Sequence, residues 1–84
     1  MNNNLHKKWL VAQIKPNSYN TAIQNLERQG FETFLPMMET TQRKKNKFIV
    51  KNDYVFPGYM FVCIGLHNLS WTKINSTYGV SKII

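Results

Sequence analysis

The sequence predicts one α+β domain with a ferredoxin-like βαββαβ sandwich, in which an antiparallel sheet carries its helices on one face. The chain has 84 residues, the size of a single domain, and 43% of them are hydrophobic. Apolar runs of strand length surround one amphipathic helical pattern. The longest run, residues 54–64, is apolar on both faces, so we expect the domain's helices to cover one face and a partner to cover the other.

The folded domain is predicted over residues 9–84, preceded by a flexible polar arm over residues 1–8. The first strand is predicted over residues 8–15, an apolar stretch bounded by lysines. Side chains alternate along a strand, which separates one face with Leu10, Ala12 and Ile14 from another with Trp9, Val11 and Gln13.

A helix is predicted after this strand, because apolar residues then recur with helical spacing. The apolar stripe consists of Tyr19, Ala22, Ile23 and Leu26. Asn17 or Ser18 can cap its N-terminus, and Gly30 supplies a C-terminal stop.

The remaining elements follow from shorter signals. Strand-like residues at 31–38 contain Pro36, which places that part at an edge or a bend. A polar segment, a short third strand and a turn are expected at 40–47, 47–51 and 52–53. The element order is then β-α-β-β-β-α-β, or βαββαβ if the third strand is a hairpin excursion. The central strand covers 54–64, a weaker helix that Asn68 can cap covers 67–75, and a last strand covers 80–84.

One face of the predicted sheet is rich in aromatic side chains. Trp9, Val11, Tyr59 and Phe61 fall together on the side away from the helices. An exposed aromatic patch on a small domain usually marks a binding surface. The alternative is that this face is assigned wrongly and the aromatics belong to the core; the sequence supports the two equally.

Charge and composition restrict the classes of function. The net charge is +7, which favours a polyanionic partner such as nucleic acid or a nucleoprotein. The single cysteine, Cys63, excludes an internal disulfide and fits a reducing cytoplasm. No apolar stretch reaches the roughly 18 residues of a membrane span, so we expect no membrane partner. The chain lacks metal-ligand spacing, a glycine-rich phosphate loop and a carboxylate pair, so we expect no metal, cofactor or catalysis.

A set of polar residues from the first strand, one helix face and the loop before the last strand is predicted to converge. Its members are Lys15, Asn25, Arg28, Gln29, Thr77 and Tyr78. Arginine, glutamine and asparagine can bond base edges, lysine can hold phosphate, and tyrosine can stack on an unpaired base. The alternative is an ordinary polar helix surface, which composition alone favours. The basic run at 43–47 reads as a solvated segment, whose contacts to nucleic acid would be to phosphate.

The order of motifs along the chain resembles the N-terminal domain of NusG-family transcription elongation factors. The matching segments are residues 9–13, 26–29, 35–36, 56–62 and 74–80, which together span nearly the whole chain. The tryptophan-led strand and the Phe-Pro-Gly-Tyr strand are the more specific of these. The segments 26–29 and 74–80 are closest in pattern to the specialised paralogue RfaH, whereas Gln13 and the pair Ser70 and Trp71 are closer to general NusG.

The resemblance implies a factor that binds RNA polymerase, bridges the cleft around DNA and suppresses pausing. Such domains bind the β′ clamp helices through an apolar sheet surface, and Gln13, Tyr59 and Phe61 match contact positions. Trp71 and Thr72 stand in the element that meets the polymerase β gate loop, where RfaH has His-Thr-Thr.

The RfaH-like branch implies contacts to the non-template DNA strand. The matching positions are Lys15, Asn25, Arg28, Gln29, Thr77, Tyr78 and Gly79. Asn25 replaces a histidine and Tyr78 an arginine, so the DNA target is expected to differ. The family's last helix, linker and C-terminal KOW β-barrel are absent from this sequence, and we expect a monomer.

The alternative interpretation is an RNA-binding RRM-like domain, which shares the βαββαβ order. Residues 58–64 partly resemble its central strand, whose aromatics stack on bases. Pro57, Met60 and Ile64 depart from that pattern, since they replace a basic residue, a small residue and an aromatic.

Overall fold

The computed structural model describes residues 7–65, 67–68 and 70–84. In this part of the chain the elements are six strands, one α-helix and one 3₁₀ helix. They are β1 (Lys7–Ile14), α1 (Tyr19–Arg28), β2 (Glu32–Phe34), β3 (Met37–Lys44), β4 (Lys47–Tyr54), β5 (Tyr59–Gly65), the 3₁₀ helix (Trp71–Ser76) and β6 (Val80–Ile83).

Within the described residues, four strands form the main sheet in the order β2-β5-β1-β6, with every neighbouring pair antiparallel. Strands β3 and β4 pair with each other in a separate two-stranded sheet, here called the ribbon. When the ribbon is set aside as an excursion, the order is βαββαβ, and the predicted α+β class with a ferredoxin-like antiparallel sheet is confirmed.

The core lies between one face of the main sheet and the helices. Ala12 and Ile14 of β1 and Met60 and Val62 of β5 pack there, on alternating positions as predicted. The helices contribute the buried side chains of Ala22, Leu26 and Ile74. Both helical segments therefore cover the same face, which leaves the opposite face of the sheet without a helical layer.

Helix α1 begins and ends close to the predicted limits. Its buried residues, Ala22 and Leu26, belong to the predicted apolar stripe, and Gly30 follows with φ +91°. Ser18 occupies the N-cap position, but its hydroxyl donates to the carbonyl of Pro16, so no side chain caps the helix. The Tyr19 hydroxyl accepts a hydrogen bond of 2.6 Å from the backbone N–H of Gly58, which ties the helix to the turn before β5.

The structure corrects several predicted boundaries. The single strand expected at 31–38 is divided at residues 35–36 into β2 and β3. The polar segment at 40–47 and the turn at 52–53 lie largely within the paired strands of the ribbon. The helix expected at 67–75 is a 3₁₀ helix that starts at Trp71, with Ser70 rather than Asn68 at its N-cap.

The predicted arm also needs a correction at its end. Lys7, which the sequence assigned to the arm alone, pairs with Gly65, and Lys8, at the boundary of the predicted arm and the predicted first strand, pairs with Ile64; both belong to β1. The rest of the predicted arm, residues 1–6, lies outside the described residues. None of the helices in the described ranges is both long and apolar enough to cross a membrane.

Candidate functional site

The uncovered face of the main sheet carries a cluster of large side chains, here called the aromatic face. Its members are Trp9, Val11 and Gln13 of β1, Phe34 of β2, Tyr59 and Phe61 of β5, and Phe56 from the preceding turn. These strand positions alternate with the core positions, so their side chains point away from α1. Trp9, Phe34 and Phe56 remain about half exposed, at 48%, 55% and 50%.

Phe61 is at the centre of the aromatic face. It lies opposite Val11 on β1 and opposite Phe34 on β2. The Phe34 ring stacks obliquely on it with centroids 6.2 Å apart, and the Phe56 ring meets it edge-on at 5.9 Å. A shallow depression beside it is lined by Val11, Phe56, Tyr59 and Phe61. This arrangement offers a preformed apolar surface with a ready recess for a partner's side chain.

Gln13 provides a polar position at the margin of the aromatic face. It lies between Tyr59 on β5 and Lys82 on β6 in the register of the sheet, and it is half-buried. An amide there can donate to and accept from a partner's polar groups next to the apolar centre.

Sequence reasoning missed Phe34 and Phe56 as members of this surface. Phe34 was assigned to a strand, but its register against β5 could not be read from the sequence. Phe56 precedes Pro57 and Gly58, and Gly58 has φ +88°, a bend that turns the chain back under Phe61. The Phe-Pro-Gly signal identified the bend, but the direction of the phenylalanine depends on the folded turn.

Trp71 and Thr72 are not part of the aromatic face. Trp71 lies on the 3₁₀ helix beside Lys8, Leu10 and Ile64, and Leu10 and Ile64 point to the core side of the sheet. Thr72 is exposed next to it. The structure therefore separates these two predicted polymerase contacts from Gln13, Tyr59 and Phe61, so they would meet a different part of a partner.

Most of the predicted polar residues do converge. The Gln29 amide donates to the Thr77 hydroxyl at 2.9 Å and to the Asn25 carbonyl at 3.0 Å. The backbone N–H of Lys15 donates to the carbonyl of Gly79 at 2.9 Å. These bonds hold the loop at 77–79 along α1, with Thr77 beside the C-terminal end of the helix and Gly79 beside its N-terminal half and the end of β1. Among the described residues, no hydrogen bond or ion pair joins Arg28 to this cluster, although Arg28 lies in the last turn of α1.

Two of the predicted DNA-contact residues, Thr77 and Gly79, have structural roles in the folded chain. Thr77 is 6% exposed, and its hydroxyl accepts from Gln29 and donates to the carbonyl of Lys73. Gly79 packs so closely on α1 that an added Cβ would lie 2.8 Å from the backbone nitrogen of Ala22. Lys15, Arg28, Gln29 and Tyr78 are exposed, although the Gln29 amide is engaged in the two hydrogen bonds described above. Tyr78 is 78% exposed.

The described residues contain no group of three or more histidine, cysteine or acidic side chains that could hold a metal ion. Cys63 is buried and lies opposite Trp9 on β1 and Glu32 on β2. Its thiol is enclosed in the sheet, which is the usual setting of a cysteine that acts as a small apolar residue.

Comparison with known proteins places the chain in a family. The family model described as "Transcription termination factor nusG" matches residues 7–84. A transcription termination/antitermination protein NusG of Chlamydia pneumoniae is 28% identical over 86 aligned positions, which cover 92% of this chain and 47% of that protein. The protein of the same name from Bacillus subtilis is 29% identical over 89 positions, covering 95% and 50%. The chain thus spans about half the length of the curated relatives it matches.

Proposed function

Because the chain belongs to the NusG family, we propose that it is a domain of a transcription elongation and antitermination factor that binds RNA polymerase through the aromatic face. The observation that carries the proposal is the exposed cluster around Phe61, which no helix of the described chain covers. Both relatives are named as transcription termination/antitermination proteins.

The chemistry of the aromatic face suits a protein partner with an apolar ridge. Protein interfaces concentrate their binding energy in a few aromatic residues that become buried on binding. Tyr59 and Phe61, which line the recess, are the residues expected to act as such anchors. The β′ clamp helices, which the family resemblance implies, offer a ridge of this kind. Binding there would hold the factor across the DNA cleft and suppress pausing, in the cytoplasm where the polymerase acts.

The alternative, a base-stacking platform for single-stranded RNA, fits the same face less well. A stacked base needs an open ring face, whereas Phe61 is met by Phe34 on one side and by the edge of Phe56 on another. The +7 charge is compatible with either partner, so binding to each must be measured.

The test is a titration of the chain against core RNA polymerase, comparing the unmodified protein with Tyr59→Ala/Phe61→Ala. Loss of each anchor is expected to cost about 2 kcal/mol of binding free energy, which is about 30-fold in Kd for each residue. Phe48→Ala is the matched control, because Phe48 is an aromatic residue with 74% exposure that lies on the ribbon.

The control variant is expected to bind polymerase as the unmodified chain does. The proposal is abandoned if the double variant keeps full affinity for polymerase. It is replaced by the RNA-binding interpretation if the chain binds naked single-stranded RNA but not polymerase, and if that binding is lost in the double variant.

We further propose that the accessible polar residues beside the loop at 77–79 contact the exposed non-template DNA strand. Support comes from the hydrogen bonds that dock this loop beside α1, which bring Tyr78 and Lys15 to the same end of the domain. Arg28, in the last turn of α1, carries a guanidinium that can bond two acceptors of one base.

Arg28→Ala tests this second proposal. Recruitment to elongation complexes that expose a specific non-template sequence is expected to weaken by roughly 1–3 kcal/mol, whereas affinity for core polymerase stays unchanged. A uniform loss over all DNA sequences would show that Arg28 contacts only phosphate. Gln24→Ala, a helix substitution that removes an exposed polar side chain without removing charge, is the control.

A further inference from the structure

The tip of the ribbon concentrates positive charge that nothing in the described chain compensates. Arg43, Lys44, Lys45 and Lys47 occupy four of five consecutive positions, and all are exposed. The ion pairs among the described residues are Lys7 with Glu32 and Lys51 with Asp53, and neither involves the tip. Arg43 donates a long hydrogen bond within the tip: its guanidinium nitrogen lies 3.5 Å from the side-chain oxygen of Asn46, which is uncharged.

This charge is carried on an ordered element. Eight consecutive residue pairs, from Met37 with Tyr54 to Lys44 with Lys47, define the register of the ribbon. At its base the Tyr54 ring stacks on Tyr19 of α1 with centroids 4.2 Å apart. The Thr40 hydroxyl donates to Asp53 across the strands at 2.8 Å. The base is therefore joined to the domain, and strands of eight residues extend the tip about 26 Å from it.

Two features of the tip destabilise the hairpin on its own. Lys44 and Lys47 are directly opposite each other, and like charges in opposed positions destabilise an antiparallel pair. Lys45 has φ +50°, a left-handed conformation that favours glycine or asparagine over lysine. A bound polyanion would relieve the repulsion, whereas a second copy of this +7 chain would add to it.

We propose that the ribbon is a separate binding element for double-stranded DNA, which enters the major groove with its tip and places its four cations against the flanking phosphates. The major groove of B-form DNA is about 12 Å wide and admits a two-stranded ribbon. The major groove of A-form RNA is too deep and narrow for one. Contacts to phosphate carry no sequence information, so this binding is independent of base sequence.

This element lies apart from the surfaces assigned above. The aromatic face belongs to the main sheet, and the polar residues belong to α1 and the loops at the ends of β1 and β6, whereas the tip cations belong to the ribbon. A factor with these surfaces would hold duplex DNA with the ribbon while the sheet engages a protein.

The test measures binding of the chain to a fluorescent DNA duplex two helical turns long, without polymerase. Lys44→Gln/Lys45→Gln/Lys47→Gln is compared with Lys8→Gln/Lys73→Gln/Lys82→Gln, which removes the same charge from exposed positions of the body. The tip variant is expected to lose about tenfold or more in affinity at low salt. The slope of the logarithm of its association constant against the logarithm of salt concentration should be less negative by about 2.7, which is about 0.9 for each of three lost phosphate contacts.

The body variant is expected to change both quantities much less, and circular dichroism should show that both variants stay folded. Equal losses in the two variants would overturn the proposal, because net charge alone would then explain binding. It is also overturned if the chain does not bind duplex DNA, or if it binds duplex RNA or single-stranded DNA of the same sequence as tightly. The probes contain no polymerase, so these outcomes are independent of the aromatic face.

Discussion

Gly79 shows how a single position joins the loop at 77–79 to α1. The residue has φ +89°, and a Cβ there would lie 2.8 Å from the nitrogen of Ala22 and 2.9 Å from the oxygen of Ser18. Those two atoms already form a helix hydrogen bond of 2.9 Å. The family resemblance suggested Gly79 as a DNA contact. The packing gives a physical reason for glycine at this position, because any side chain would prevent the loop from approaching the helix backbone.

Gly79→Ala is therefore expected to destabilise the domain by about 2–4 kcal/mol, from backbone strain together with the steric overlap. Gly30→Ala is the matched control, because Gly30 has a similar φ of +91° but has no atom within 4 Å of the added Cβ. Urea unfolding measures both. Similar losses in the two variants would contradict the close approach of Gly79 to α1.

At the same scale, the aromatic residues show what alternation can and cannot predict. Tyr59 and Phe61 were placed on the correct face because side chains alternate along a strand, and the buried Met60 and Val62 confirm it. Phe34 joined them only through its register opposite Phe61. The family resemblance assigned Trp71 to the element that meets the gate loop, and Trp71 lies beside Leu10, on the other side of the sheet from Tyr59 and Phe61.

The ribbon is the element that sequence reasoning described least well. Residues 40–47 were expected to be a solvated polar segment, yet they form most of β3 and the turn into β4. Hydrophobic periodicity reveals a strand when one face is buried, and both faces of the ribbon are largely exposed. Its pairing is held by backbone hydrogen bonds and cross-strand contacts, which leave a weak trace in the sequence.

The turn of the ribbon leads to a prediction about this element. Lys45 and Asn46 both have positive φ, at +50° and +63°, in a two-residue turn that favours asparagine followed by glycine. Lys45→Asn/Asn46→Gly is expected to stabilise the ribbon by about 1 kcal/mol, which would slow amide exchange in β3 and β4 about fivefold.

Lys45→Gln is the control for this prediction, since it removes the same charge without changing the preference for positive φ. Exchange in the main sheet should be unaffected, because β3 and β4 form their own pair. If Lys45→Gln slows exchange as much as the double variant does, charge repulsion rather than backbone conformation limits the stability of the tip.

The molecule as a whole has three separate surfaces on one small core, namely the aromatic face, the polar residues beside the loop at 77–79 and the tip of the ribbon. Helix α1 and the 3₁₀ helix cover one face of the main sheet, the aromatic face lies on the other, and the ribbon carries the charged tip. This organisation is consistent with the proposal that the domain joins a protein to nucleic acid. The chain spans about half the length of its curated relatives, so the proposed activity is that of one domain.

By itself the sequence determined the fold class, the helix α1 and the faces of β1 and β5, because burial on one side imposes a period on the residues nearest the core. The apolar stripe of α1 that ends at Leu26 and the alternation of buried residues in β5 that includes Val62 both result from that burial. Only the tertiary structure decided the register that brings Phe34 and Phe56 to Phe61, the position of Trp71 behind the sheet and the pairing of the ribbon. These features depend on contacts between distant segments, which no local period encodes.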